Sequence, residues 1–201
     1  MQNYTIEQLT AEMHRLNYKV FTNGDFNINT VAVRSNMNQD SDLVQNHFLD
    51  KLFIFYKIKS EWLIKSYECT TIPGLTYFNQ PYNPSYGTAI VVPGQYPSSH
   101  SLGFHYSYPG LIQTGLISCY RDINKDSVID MDINSIQSGF YGINIHYAMD
   151  GVININNFSA GCTVLNVGPL SEKYKQLLWH YQNAITMGQP NSFTYTLLDQ
   201  F

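Results

Sequence analysis

The sequence is poor in charge. Of 201 residues, 11 are Lys or Arg and 15 are Asp or Glu, for a net charge of −4 at pH 7, and the cations nowhere gather into a cluster able to neutralise a run of phosphates. Nucleic acid is therefore not an expected partner. No apolar run approaches the ~18 residues that a membrane-crossing helix needs, and the opening segment MQNYTIEQLTAEMHRLNYKV lacks the apolar core of a secretory signal. The expectation is a protein without a membrane span, made in the cytoplasm without a signal peptide. Cysteine is scarce too. Cys69, Cys119 and Cys162 are odd in number and far apart, which excludes a disulfide framework and a paired-cysteine zinc site and leaves at least one thiol free. Also missing are a phosphate-cradling glycine loop, an HExxH helix and a Gly-x-Ser-x-Gly elbow. Glu61, Glu68 and the acids near Asp122 show no placement selective for the carboxylate pair of a glycosidase.

Aromatic residues, by contrast, are abundant, with 16 Tyr and 11 Phe. With so little charge they favour strands and turns over long solvated helices. The expected fold is α+β, mainly β, in a single domain over 1–201. Ile6, Leu9, Met13 and Leu16 recur at helical spacing behind Thr5, an N-cap residue, within an N-terminal helical extension over 1–26. A β-rich core over 27–168 begins with strands at Asn27–Arg34, Lys51–Ile58 and Trp62–Tyr67, with a turn at Lys59-Ser60. Thr70 to Gly110 is crowded with Pro and Gly and reads as loops around one short strand, Thr88–Val92. Strand signals return at Leu116–Tyr120 and Gly142–His146. A C-terminal unit over 169–201 holds a helix at Ser171–Met187, ended by Gly188 and Pro190, and a strand at Phe193–Leu198.

The chemistry concentrates between Gly142 and Leu165. His146 lies on a strand sixteen residues before Cys162, which ends a Ser-Ala-Gly-Cys turn. A thiol needs a base to become thiolate at neutral pH, and a hairpin-like return would bring His146 within hydrogen-bond reach of the sulfur. Gly161 leaves backbone N–H groups open for an oxyanion, and Ser159 is placed to brace the turn or the imidazole. The competing reading of Cys162 is a small buried hydrophobe in a core turn.

Gly142, Ile145, His146, Ser159, Gly161 and Cys162 resemble the signature of the L,D-transpeptidase family, a Gly-Ile-His strand followed by Ser-His-Gly-Cys. Cys69-Thr-Thr-Ile-Pro-Gly74 and Gly87–Tyr96 are similar to its preceding segments, so the likeness spans roughly residues 50 to 168. Ala160 stands where the family has a second His, and Thr163-Val164 replaces an Ile-Arg whose Arg is thought to hold substrate. The resemblance implies an L,D-transpeptidase-like β-sandwich, with the helix before it and the helix plus strand after it. It also implies Cys162 as nucleophile, His146 as base, and peptidoglycan stem peptides as substrate, with no cofactor required. The whole chain also resembles proteins found in phages and prophages of gut Bacteroidetes, through runs such as Asn29–Ser35 and Arg121–Asp126. That context implies a lysin-type peptidase released to the cell wall or carried on a virion. The alternative is a non-catalytic virion or wall-binding protein with a degenerate site. Oligomeric state is not readable from the sequence.

Secondary candidates surround this centre. His105 could orient His146 or touch substrate, Tyr141 could wall a cleft, Thr71 belongs to the family-like run, and Arg34 is a distant candidate for the missing cation. His100 falls in the same loop-rich stretch as His105. Asp122, Asn124, Asp126 and Asp130 have the oxygen spacing of a calcium loop, although Ser127 stands at the sharp turn and Ile133 at the twelfth position; an Asx-rich turn is the plainer reading.

Overall fold

The computed structural model describes residues 2–35, 46–126 and 128–201, and Ser127 lies outside them. Helix α1 (Ile6–Arg15) starts at Thr5, whose hydroxyl accepts from the Gln8 N–H while the Gln8 side chain accepts from the Thr5 N–H. This reciprocal box satisfies two N–H groups that a helix start otherwise leaves open. Strands β1 (Asn29–Arg34), β2 (Asp50–Ile58) and β3 (Glu61–Thr70) follow. Lys59 and Ser60 join β2 to β3 at φ 48° and 68°. Two left-handed residues match the right-handed twist of a tight hairpin.

Helix α2 (Leu75–Asn79) precedes β4 (Thr88–Val91), β5 (Gly94–His105), β6 (Tyr108–Gln113), β7 (Ile117–Asp122) and β8 (Gln137–Gly139). Short strands β9 (Ile145–Tyr147) and β10 (Thr163–Leu165), helix α3 (Glu172–Thr186) and strand β11 (Phe193–Asp199) complete the chain. Eight strands close into a barrel in the order β1-β11-β5-β6-β9-β10-β3-β2, and β4-β7-β8 form a separate sheet.

The protein is mainly β, but its large sheet closes into a ring where two open layers were expected. The cause is topological. Strand β11 pairs parallel with β1 and antiparallel with β5, so the last seven-residue strand completes the wall. Residues 169–201 are therefore integral to the core. Leu52, Ile54 and Tyr56 of β2 share one cluster with Tyr174, Leu177, Tyr181 and Ala184 of α3. Tyr181 Oη lies 2.8 Å from Thr30 Oγ1, and Tyr174 Oη donates to the Pro109 carbonyl at 2.7 Å, so the buried phenols keep hydrogen-bond partners. On the opposite face of β2, Phe53 and Phe55 pack with Leu9 and Met13 of α1. Cover on both faces explains the unbroken Leu-Phe-Ile-Phe-Tyr run.

The breaker-rich segment holds two long strands that its prolines concealed. Pro97 adjoins Ser98, at φ 52°, and the β5–β11 register slips between Phe193 and Tyr195. Pro109 faces Phe104 close to the β5–β6 turn. Bulges and strand ends are where a sheet accommodates a residue without an N–H. No helix among the described residues is long and apolar enough to cross a membrane.

Candidate active site

Strands β9 and β10 build the site. They run parallel with Thr163 opposite Ile145 and Val164 opposite His146, and the Thr163 N–H reaches the Asn144 carbonyl at 3.0 Å. The register therefore carries on to set Cys162 beside Asn144. Side chains alternate along a strand, so Ile145 and Leu165 enter the barrel core while Cys162 and Val164 join a second cluster with Ile72, Phe78 and Ile90. Asn144 and His146 share that outer face.

The turn before the sulfur is held by its own atoms. Ser159 Oγ donates to the Cys162 carbonyl at 2.9 Å and accepts from the Gly161 N–H at 3.2 Å. Ser159 is thus the brace of the turn, and the Gly161 N–H is engaged instead of open for an oxyanion. Gly161 adopts φ +134°, and a Cβ there would stand 2.6 Å from the Ala89 carbonyl oxygen, so no side chain fits. The Ser159 carbonyl also accepts from the Gly74 N–H at 2.9 Å, tying the Ile72-Pro-Gly74 run to the turn.

Cys162 Sγ donates to the Gly142 carbonyl at 3.3 Å and accepts from the Asn144 N–H at 3.4 Å. Among the described residues it makes no hydrogen bond to His146, contrary to expectation. The reason is the register: Cys162 pairs with Asn144, which leaves His146 as its diagonal neighbour on the same face. Diagonal sheet neighbours stand roughly 7–8 Å apart at Cα, a span that a long side chain can bridge. Cys162 keeps 9 % of its surface, while Cys69 and Cys119 are sealed at 0 %. Burial pushes its thiol up to about 11, against the milder opposing pull of the Asn144 N–H.

His146 Nδ1 lies 2.8 Å from the Tyr147 carbonyl. A carbonyl can only accept, so Nδ1 carries the proton and Nε2 keeps its lone pair. Burial first, and the neighbouring His105 second, lower its pKa to about 4. The site at neutral pH is a protonated thiol on the same sheet face as a neutral imidazole. His105 stacks on His146 with ring centroids 4.0 Å apart and 17° between planes. Asn144 orients this partner: its Oδ1 accepts from the Gln113 N–H at 2.9 Å, so its amide nitrogen faces His105 Nδ1 at 3.1 Å. Asn144 therefore touches the thiol through its backbone and the second imidazole through its side chain. Sequence reading passed over it, although its place two residues before His146 was a usable signal.

His100, expected in a loop, is a buried residue of β5. Its Nε2 donates to the Ile143 carbonyl at 2.9 Å and its Nδ1 accepts from Ser99 Oγ at 2.9 Å, which props the segment behind the site. Burial raises the phenol of Tyr77 in α2, and its proximity to Tyr106, Cys162 and Tyr82, which would be anionic if ionised, adds to the effect.

Thr71 and Arg34 do not reach the cleft. Arg34 Nε donates to Thr71 Oγ1 at 2.9 Å, and that hydroxyl donates to Asp50 Oδ2 at 2.7 Å, a sealed relay between cation and carboxylate. Burying either charge requires these partners, so neither residue is available to substrate. Tyr141 does line a cavity, together with Ala160. In the Asp122 loop, the Asn124 amide donates to Asp126 Oδ2 at 3.1 Å and to Asp130 Oδ2 at 2.6 Å, and Asp122 Oδ2 accepts from the Asp130 N–H at 3.1 Å. An amide nitrogen thus lies between the carboxylates, where the calcium-loop reading would put a cation. Among the described residues no three His, Cys, Asp or Glu side chains converge as metal ligands.

No family profile, curated protein or solved structure matches this chain.

Proposed function

We propose that the protein is a cysteine-dependent peptidase of peptidoglycan stem peptides or crosslinks, built on an L,D-transpeptidase-like arrangement of Cys162 and His146. The observation that carries the reading is the parallel β9–β10 pair, which gives one sheet face the least sealed thiol and an imidazole whose Nε2 is unprotonated. In this mechanism His146 Nε2 takes the thiol proton as Cys162 Sγ attacks the carbonyl carbon of an amide next to a diaminopimelate-type residue. The amide C–N bond breaks as His146 returns the proton to the leaving amine, leaving a thioester. Water then hydrolyses the thioester and regenerates the thiol. The Cys162 N–H stabilises the oxyanion, and no cofactor is required. Rotation of the thiol from the Gly142 carbonyl toward Nε2 precedes attack, in keeping with catalytic hydrogen bonds that tighten only with substrate bound. The phage-like sequence runs favour wall breakdown, by a protein released to the wall or borne on a virion, over wall synthesis.

Purified protein incubated with peptidoglycan sacculi should release crosslink-derived fragments detectable by mass spectrometry, and Cys162→Ala should release none. Identical digests from both proteins would end the proposal. The rival reading, a non-catalytic virion or wall-binding protein, draws support from the thiol's burial and its hydrogen bond to Gly142. It predicts sacculus binding without cleavage by either protein.

A further inference from the structure

A cavity of about 510 Å³ opens beside the nucleophile turn, with Ala160 and Ala89 on one side and Tyr82, Tyr86, Phe140 and Tyr141 among its walls. Ala160 is two residues before the sulfur, and the Ala89 carbonyl is the atom that crowds Gly161, so the cavity and the turn share a wall. Tyr82 is 80 % exposed and Phe140 66 % exposed, an aromatic rim left open to solvent.

Arg121 of β7 also lines this space, and its guanidinium lies over the Tyr141 ring, 4.1 Å from the centroid. It is uncommitted. The ion pairs among the described residues are Arg15–Glu12 and Lys175–Glu172, while Arg121 Nε is buried without a partner. No Asp or Glu lines the cavity, so its one charge is positive. A guanidinium that sits over a ring makes no hydrogen bond to it and keeps its terminal N–H groups for a carboxylate.

We propose that this cavity is a substrate subsite that takes the terminal carboxylate of a stem peptide on Arg121 and stacks the adjoining peptide on the tyrosine walls. The proposal rests on the peptidase reading of the Cys162 site. Arg121 is the one charged side chain that lines the cavity, and Ala160, two residues before the sulfur, forms part of its wall. Arg121 is a binding residue and takes no part in the bond changes.

The test uses the full chain carrying Cys162→Ala, so that binding is read without turnover. It is titrated calorimetrically with L-Ala-γ-D-Glu-meso-diaminopimelate-D-Ala and with the C-terminal amide of the same peptide. The free acid should bind about tenfold or more tightly than the amide. Adding Arg121→Gln should bring the two affinities together, and Arg121→Lys should keep part of the difference. Equal affinities before Arg121 is changed, an undiminished preference after Arg121→Gln, or no binding of either peptide would each overturn the subsite. The acid–amide comparison needs no substitution at Arg121, so it decides the question even where Arg121→Gln fails to fold. Carboxylate-dependent binding with no cleavage by the Cys162 protein would sink the peptidase reading and leave the subsite standing; cleavage without carboxylate preference would do the reverse.

Discussion

At the scale of single residues, the site couples two buried neutral groups. Because burial and His105 hold His146 at about 4, the proposed base stays unprotonated well below the usual histidine range. We expect kcat/KM on a stem-peptide substrate to be flat between pH 5 and 8, with its acid limb nearer 4 than 6.5; an inflection at 6.5 would show that another group is the base. His146→Gln should lower kcat by about 10²-fold or more, the usual contribution of a positioned general base. For the thiol, the direction is opposite. Its upward displacement predicts alkylation by iodoacetamide that climbs with pH toward 11, with Cys162 modified ahead of the sealed Cys69 and Cys119 in peptide mapping. Gly161→Ala should cost on the order of 2 kcal/mol or more, read as a lower melting temperature, since the Ala89 carbonyl leaves no room and the backbone is left-handed.

At the scale of elements, the local signals were strong where one side-chain pattern served one environment. Thr5 and the Ile6, Leu9 and Met13 spacing predicted α1 almost to its ends, and Thr5→Ala should remove about 1 kcal/mol of stability in urea denaturation. The β2–β3 hairpin, α3 and β11 were equally legible from their apolar and aromatic runs, turn and caps. Strands β5 and β6 were not, because Pro97 and Pro109 announce loops unless the bulge and strand end that hold them are known. Thr71 was chosen by likeness to a motif, whereas its position between Arg34 and Asp50 makes it a structural link.

At the scale of the whole molecule, barrel closure makes folding depend on contacts between the chain's two ends, through β1 and β11. Truncation before Phe193 should therefore abolish cooperative unfolding instead of trimming a tail, as measured by thermal circular dichroism. His100 and His146 are both buried with pKa values lowered to about 4. Unfolding frees them to take protons below their ordinary value of about 6.5. Their contribution to stability is complete above that pH and declines as pH falls from about 6.5 to 4, by on the order of 3 kcal/mol each. A melting temperature unchanged between pH 7 and 4.5 would contradict this account.

The sequence alone determined the candidate chemistry, a His strand followed by a Cys at the end of a Ser-Ala-Gly turn, along with a mainly β chain with a helix near each end. These are local matters: spacing along a strand, a cap, and a glycine before a thiol act over a few residues. The tertiary structure decided what those residues meet. Parallel register put Asn144, not His146, beside the sulfur; ring closure drew α3 into the core; and β7 carried Arg121 to a cavity at Ala160. Each depends on pairing segments distant in the chain, where a shift of one residue would turn every side chain to the opposite face.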